Sequence, residues 1–456
     1  MFLEKIKSEG LAHLSYILGD KAEAVVIDPR RDCEVYLDIA AREGAQITRI
    51  YETHRNEDYV VGSIDLARRT GATIHHGGAM DFKYGNAVSE GDSFDVGDLR
   101  LQVLETPGHT MESISLVITD RNFGETPVGV FTGDSLFVGD VGRTDFYPDR
   151  AREVAGMLHD SIFGKLLPLG DQTILYPAHG AGSVCGDNMA SREFSTLGHE
   201  KRNNPVLQKS DREAFIEYKA AEEHGQPSYF RKMEQYNKEG APPLDVLPQP
   251  QPMNPQQVSD ACENGAIIVD LRSPESFSAA FIPNSLSMPL KMLPAYAGYL
   301  LDYEHDLLLV PETHDQIPMA VRQLVRMGYD RLAGYLKGGL NSWEASGRIF
   351  DTIGSVHAGD LEDRLKRRES FTLLDVRKNT EFKKERLAGS THVFLGNLRD
   401  RLDELDRDRP AVTFCGSGIR AIIAASILKR HGFQEVENCL GSMEACINIG
   451  CSLQRG

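Results

Sequence analysis

Residues 52 to 63 read ETHRNEDYVVGS, directly after the apolar run Ile47 to Tyr51, and how this stretch is understood decides the fold of the first half of the chain. A short apolar run closed by a turn signal predicts a strand, and here the strand ends on Thr53, His54 and Asp58. The pattern recurs at VVIDP (Val25 to Pro29), LETPGHT (closing on His109), VFTGDSLF (with Asp134) and ILYPAHG (with His179). Strand, then His or Asp, then turn is how an α/β sandwich gathers metal donors from distant chain positions at one edge of its sheets.

These strand ends resemble the metallo-β-lactamase superfamily, and FTGDSLFVGDVGRTD (Phe131 to Asp145) is similar to its glyoxalase II and persulfide dioxygenase branch. The resemblance covers roughly residues 1 to 240 and implies an αββα sandwich. The superfamily motif T-H-x-H-x-D-H is Thr53-His54-Arg55-Asn56-Glu57-Asp58-Tyr59 here, so two of its histidines are Asn56 and Tyr59. A second ion would be left with Asp58, His179 and a shared Asp134, poor coordination for a metal that prefers imidazole. The resemblance therefore implies one ion, held by His54, His109 and Asp134, the positions that the persulfide dioxygenases use for a single iron. Asp58 and His179 are expected to orient those ligands. Arg143, in VGRTD, is an anion contact or a structural arginine. Two histidines and one carboxylate suit Fe(II) and O2 chemistry, and they also suit a hydrolytic zinc.

From Asn237 the composition changes to NKEGAPPLDVLPQPQPMNPQQVS, whose prolines predict an extended linker over 241–255. Before it, Ser210 to Glu213 has the form of a capping box, so helices should close the first domain. Beyond the linker AIIVDLRSPESF (Ala266 to Phe277) matches FTLLDVRKNTEF (Phe371 to Phe382) at an offset of 105 residues, a tandem duplication of an α/β domain with a parallel sheet. The expected division is 1–240, the linker, 256–350 and 355–456.

The second copy carries Cys415-Gly416-Ser417-Gly418-Ile419-Arg420 between an apolar strand and a helix. Backbone N–H groups of such a loop face one point, and with the helix N-terminus they favour a thiolate at Cys415. This loop and the upstream D-V-R strand resemble the rhodanese sulfurtransferase family, which implies that Cys415 carries a persulfide, that Arg420 completes the catalytic site and that Gly416, Ser417, Gly418 and Ile419 bind substrate. Related phosphatases use a loop one residue longer, so its length favours sulfur. At the constant offset Val310 replaces Cys415 and Asp315 replaces Arg420, leaving the first copy without a nucleophile. Cys439, Cys446 and Cys451 are expected to be packed residues, and Cys185 a packed loop cysteine, with an approach to the pocket beside His179 as the alternative.

A net charge of -17 argues against nucleic acid as a partner, and no run approaches the roughly 18 apolar residues of a membrane span. Seven cysteines without a C-x-x-C pair fit a reducing, cytoplasmic setting. The expected function is an Fe(II) persulfide dioxygenase, one ion per chain, that turns a small-thiol persulfide and O2 into sulfite, coupled to a sulfurtransferase at Cys415 that interconverts sulfite and thiosulfate, in a homo-oligomer. The alternatives are a zinc thioester hydrolase with a rhodanese appendage and a non-catalytic persulfide-binding protein.

Overall fold

The computed structural model describes residues 1–183, 186, 188–222 and 225–455; Cys185 lies outside the described residues. The chain forms two compact units, one over Met1–Leu247 and the other over most of the remainder. Strand periodicity explains the first. Along His13–Asp20 successive side chains point to opposite faces, so Leu14, Tyr16 and Leu18 share one core while Ile17 joins another. The strand is buried throughout because both faces are covered. Two six-stranded sheets stack through the core of Leu14, Tyr16, Val25, Ile27, Leu101, Leu116 and Phe131. Helices Glu34–Glu43 and Ser63–Thr70 cover one outer face with Tyr36, Ile39 and Leu66, and helices Ala151–Ser161 and Arg212–Ala220 cover the other with Leu158 and Phe215. This is the αββα sandwich that the strand ends imply. The last of these helices is capped by Asp211, whose carboxylate accepts from the Ala214 N–H at 3.0 Å, one residue beyond the expected Ser210.

The second unit contains two five-stranded parallel sheets, built by the two copies. Their central strands, Leu307–Val310 and Ala411–Phe414, are apolar and buried, as strands covered on both faces must be. The duplication is visible atom by atom. Arg272 donates from its backbone and side chain to Asp270 at 2.7 to 3.1 Å, and Arg377 treats Asp375 in the same way at 2.6 to 3.1 Å. Gln251–Met253 joins the first copy's sheet as a strand paired only with Leu332–Leu336, an edge position that tolerates Pro252, so the last part of the proline-rich stretch is sheet.

Register corrects one sequence assignment. Asp270 pairs with Val310, whereas Asp375 pairs with Phe414, so the residue that follows the strand is Pro311 in the first copy and Cys415 in the second. Likewise Gln316, rather than Asp315, is the first copy's equivalent of Arg420. The first copy has one residue more between its paired strands, which a constant offset cannot accommodate. The conclusion about chemistry survives, because Pro311 offers neither a thiol nor an N–H.

Among the described residues, no helix is long and apolar enough to cross a membrane.

Candidate metal centre and cysteine loop

The strand Gln46–Tyr51 delivers His54, Leu99–Glu105 delivers His109, Pro127–Gly133 delivers Asp134 and Ile174–Pro177 delivers His179. Gly133 makes the sharp exit to Asp134: its φ is +52°, and a Cβ there would lie 2.7 Å from Thr53 Oγ1. One ligand atom from each of His54, His109 and Asp134 lies within 4.8 Å of the others, and all three residues are buried. Asp134 Oδ2 is 3.7 Å from His54 Nε2 and 3.5 Å from His109 Nε2.

The tautomers suit metal binding. The Nδ1–H of His109 donates to the Arg143 carbonyl at 3.0 Å, and His54 Nδ1 meets Thr53 Oγ1 at 3.0 Å. Both Nε2 atoms are then left buried without a hydrogen-bond partner. Orphaned imidazole nitrogens are costly in a dry interior unless a cation takes their lone pairs, so the residues fit an ion. Burial pulls the His54 pKa down to about 3, which keeps the ring neutral, as a ligand requires. Burial opposes a charged Asp134, but His179, His54 and His109 outweigh it and hold its carboxyl far below the usual range.

His179 touches Asp134 through Nδ1 at 2.8 and 3.0 Å, and its Nε2 lies 3.2 Å from Asp58. Burial disfavours a charged ring there, yet Asp134 and Asp58 prevail and raise its pKa well above the ordinary value. Its Nδ1–H therefore fixes the orientation of Asp134. Asn56 Nδ2 folds back on the His54 carbonyl at 3.3 Å, and Tyr59 packs against His13 with tilted rings whose centroids are 4.0 Å apart. Arg143 is buried and grips Asp145 with two bonds of 2.7 Å, so its carbonyl, rather than its guanidinium, faces the ligands.

Two nearby acids were not legible as site residues. Glu57, wholly buried, brings Oε1 to 3.0 Å from His109 Nε2. Its signal was an acid inside the motif, between Asn56 and Asp58. Glu52, also buried, has its carboxyl pushed by burial from the usual 4.5 up to about 8. The Tyr84 hydroxyl donates toward it at 3.0 Å and toward the Asn237 carbonyl at 2.8 Å, and burial outweighs this contact. An acid with a raised folded pKa holds one more proton folded than unfolded between the two values. Stability therefore falls as pH rises from about 4.5 to about 8. Glu52→Gln in metal-stripped protein should flatten that decline by up to about 1.4 kcal/mol per pH unit, read from urea unfolding midpoints. Equal pH dependence in wild type and variant would refute a protonated Glu52.

In the second unit Cys415 follows the strand Ala411–Phe414 and is buried, with its Sγ accepting from the Gly418 N–H at 3.1 Å. Gly418 has a φ of +94° and starts the helix Ile419–Arg430. Arg420 reaches back beside Gly416 and grips Glu381 with two bonds of 2.6 and 2.8 Å, so a carboxylate of its own domain already matches its charge. Tyr296, from the copy that lacks the cysteine, lies within electrostatic reach of both Arg420 and Cys415. A cleft of about 480 Å³ runs along this loop, lined by Ser417, Gly418 and Ile419 on one side and by Arg272, Lys291 and Glu312 of the first copy on the other. Nothing in the sequence pointed to Tyr296, because the contact joins different copies. Cys439, Cys446 and Cys451 are packed in the core of the second copy.

Family models match in the same order: metallo-beta-lactamase superfamily over residues 9–179, then rhodanese-like domain over 254–346 and again over 357–448. The human persulfide dioxygenase ETHE1 is 30% identical over 205 residues, which cover 42% of this chain and 70% of that protein. A hydroxyacylglutathione hydrolase of Polaromonas sp. is 32% identical over 186 residues, 39% of this chain. The chain spans 66% of that hydrolase's length and 54% of another curated relative's. Among solved structures, a metallo-beta-lactamase from Staphylococcus aureus is 30% identical with a TM-score of 0.66, covering 74% of this chain and 98% of its own.

Proposed function

Since the chain belongs to the metallo-β-lactamase superfamily, with two rhodanese-like domains following, we propose that it is an enzyme of sulfur metabolism that oxidises a small-thiol persulfide and transfers sulfane sulfur. The observation that carries this reading is the buried group of His54, His109 and Asp134, with two orphaned imidazole nitrogens, on the same chain as the Cys415 loop. In this division residues 1–240 hold the oxidation site, 256–350 form the copy without a nucleophile and 355–456 carry Cys415.

His54, His109 and Asp134 hold one Fe(II), which supplies the redox chemistry between the persulfide's outer sulfur and O2. The reaction consumes RSSH, O2 and H2O and yields RSH, sulfite and two protons. His179 keeps Asp134 aimed by donating Nδ1–H to it, and the Arg143 carbonyl keeps His109 Nε2 free for the ion. Burial of the ligands excludes bulk water.

At the second site the Cys415 thiolate attacks the outer sulfur of a persulfide, forming a new S–S bond and releasing RSH. Sulfite then attacks that outer sulfur, so thiosulfate leaves and the thiolate is restored. The loop N–H groups, of which Gly418 already faces Sγ, stabilise the negative charge on sulfur. Arg420, held by Glu381, keeps the loop in shape.

Metal analysis tests the reading. Protein purified anaerobically from cells supplied with both metals should hold about one iron per chain and take up O2 when glutathione persulfide is added. Zinc in its place, with hydrolysis of an acylglutathione and no O2 uptake, would establish the thioester hydrolase instead.

A further inference from the structure

Glu57 sits wholly buried with neither carboxylate oxygen hydrogen-bonded, a costly state for an acid. Its Oε1 lies 3.0 Å from His109 Nε2, close enough for a strong hydrogen bond, but the pair is not aligned for one. His109 already spends its Nδ1–H on the Arg143 carbonyl. Once Nε2 presents its lone pair to an ion, Glu57 has no proton left to accept from that ring, and an acceptor faces a lone pair across 3.0 Å. A cation shared by both groups reconciles the two. Two donors each about 2.1 Å from one ion and at right angles to each other are about 3.0 Å apart, which is the Glu57–His109 separation, although Glu57 stands outside the 4.8 Å group of His54, His109 and Asp134 and must move inward to share their ion. The nearest arginine in sequence, Arg55, is engaged elsewhere, with Glu234 at 2.9 Å.

We propose that Glu57 is a further protein ligand of the ion held by His54, His109 and Asp134, approaching it from the His109 side. The proposal rests on the reading that those three residues bind a metal. It makes the centre two imidazoles and two carboxylates, whose combined charge balances a divalent ion. The added oxygen hardens the donor set, which suits Fe(II) or Mn(II), and it leaves two positions of an octahedron for small ligands instead of three. It also gives a reason for the altered motif: where Asn56 withdraws an imidazole, the next residue supplies a carboxylate.

Titration of Co(II) into metal-stripped full-length protein tests this. Glu57→Gln should weaken Co(II) binding by about 10- to 100-fold and shift the visible absorption of the bound ion, while the thermal melt of the metal-free protein stays within a few degrees of wild type. Unchanged affinity and an unchanged spectrum would overturn the proposal. Should the variant fail to fold, a crystal structure of the Co(II)-loaded wild type decides: a Glu57 oxygen at about 2.0 to 2.2 Å supports the proposal, and both oxygens beyond about 3 Å defeat it. Wild type that binds no Co(II), as His109→Ala should, would instead overturn the metal reading beneath the proposal.

Discussion

Replacing His109 with alanine is expected to reduce bound metal and persulfide-dependent O2 uptake to background, and Asp134→Ala should do the same. Each residue is one of three convergent donors. Changing a residue that merely supports a ligand already costs about 10- to 100-fold in affinity, so losing the ligand should cost at least as much. Asp134→Ala carries a second penalty, because it removes the carboxylate that accepts the His179 Nδ1–H. Neither substitution touches the second unit, and thiosulfate-dependent sulfur transfer should persist in both variants. Metal content by elemental analysis, O2 uptake and sulfur transfer on one preparation separate the outcomes. Full O2 uptake by metal-free His109→Ala protein would contradict the assignment of the site.

The second large effect is expected at Cys415. Cys415→Ser keeps the shape of the loop but exchanges a thiol for a hydroxyl that stays protonated near neutrality and cannot form a persulfide. The first copy cannot stand in, since its equivalent position is Pro311. Given a persulfide and O2, wild type should accumulate thiosulfate, whereas Cys415→Ser should accumulate sulfite at a comparable rate of O2 uptake. Product analysis by thiol labelling and chromatography distinguishes them. Unchanged thiosulfate from the variant, after correction for the spontaneous reaction of sulfite with persulfide, would remove Cys415 from the relay.

Much of this arrangement was legible in the sequence because the fold puts its chemistry at strand ends. Apolar runs closed by His54, His109, Asp134 and His179 mark both the sheets and the residues gathered at their edge. The cysteine loop was legible for a similar reason, as local order alone fixes strand, turn and helix. What escaped depends on contacts between distant segments. Glu57 reads as a loop acid until His109, more than fifty residues away, comes within 3.0 Å. Tyr296 belongs to a copy without its own nucleophile and meets Arg420 only through the packing of two duplicated domains. Val310 was matched to Cys415 because a single extra residue cannot be located by a constant offset, whereas strand register locates it at once.

The central claim, that His54, His109 and Asp134 hold an iron that oxidises persulfide sulfur, is tested most directly by matched samples of the full-length protein loaded with Fe(II) or with Zn(II). Glutathione persulfide is added to each in an oxygen electrode, and sulfite plus thiosulfate is assayed at the end. The account predicts that the Fe(II) protein consumes one O2 for every persulfide oxidised and that the Zn(II) protein consumes none above background. Equal O2 uptake by both samples, or uptake by neither together with rapid acylglutathione hydrolysis by the zinc form, would contradict it.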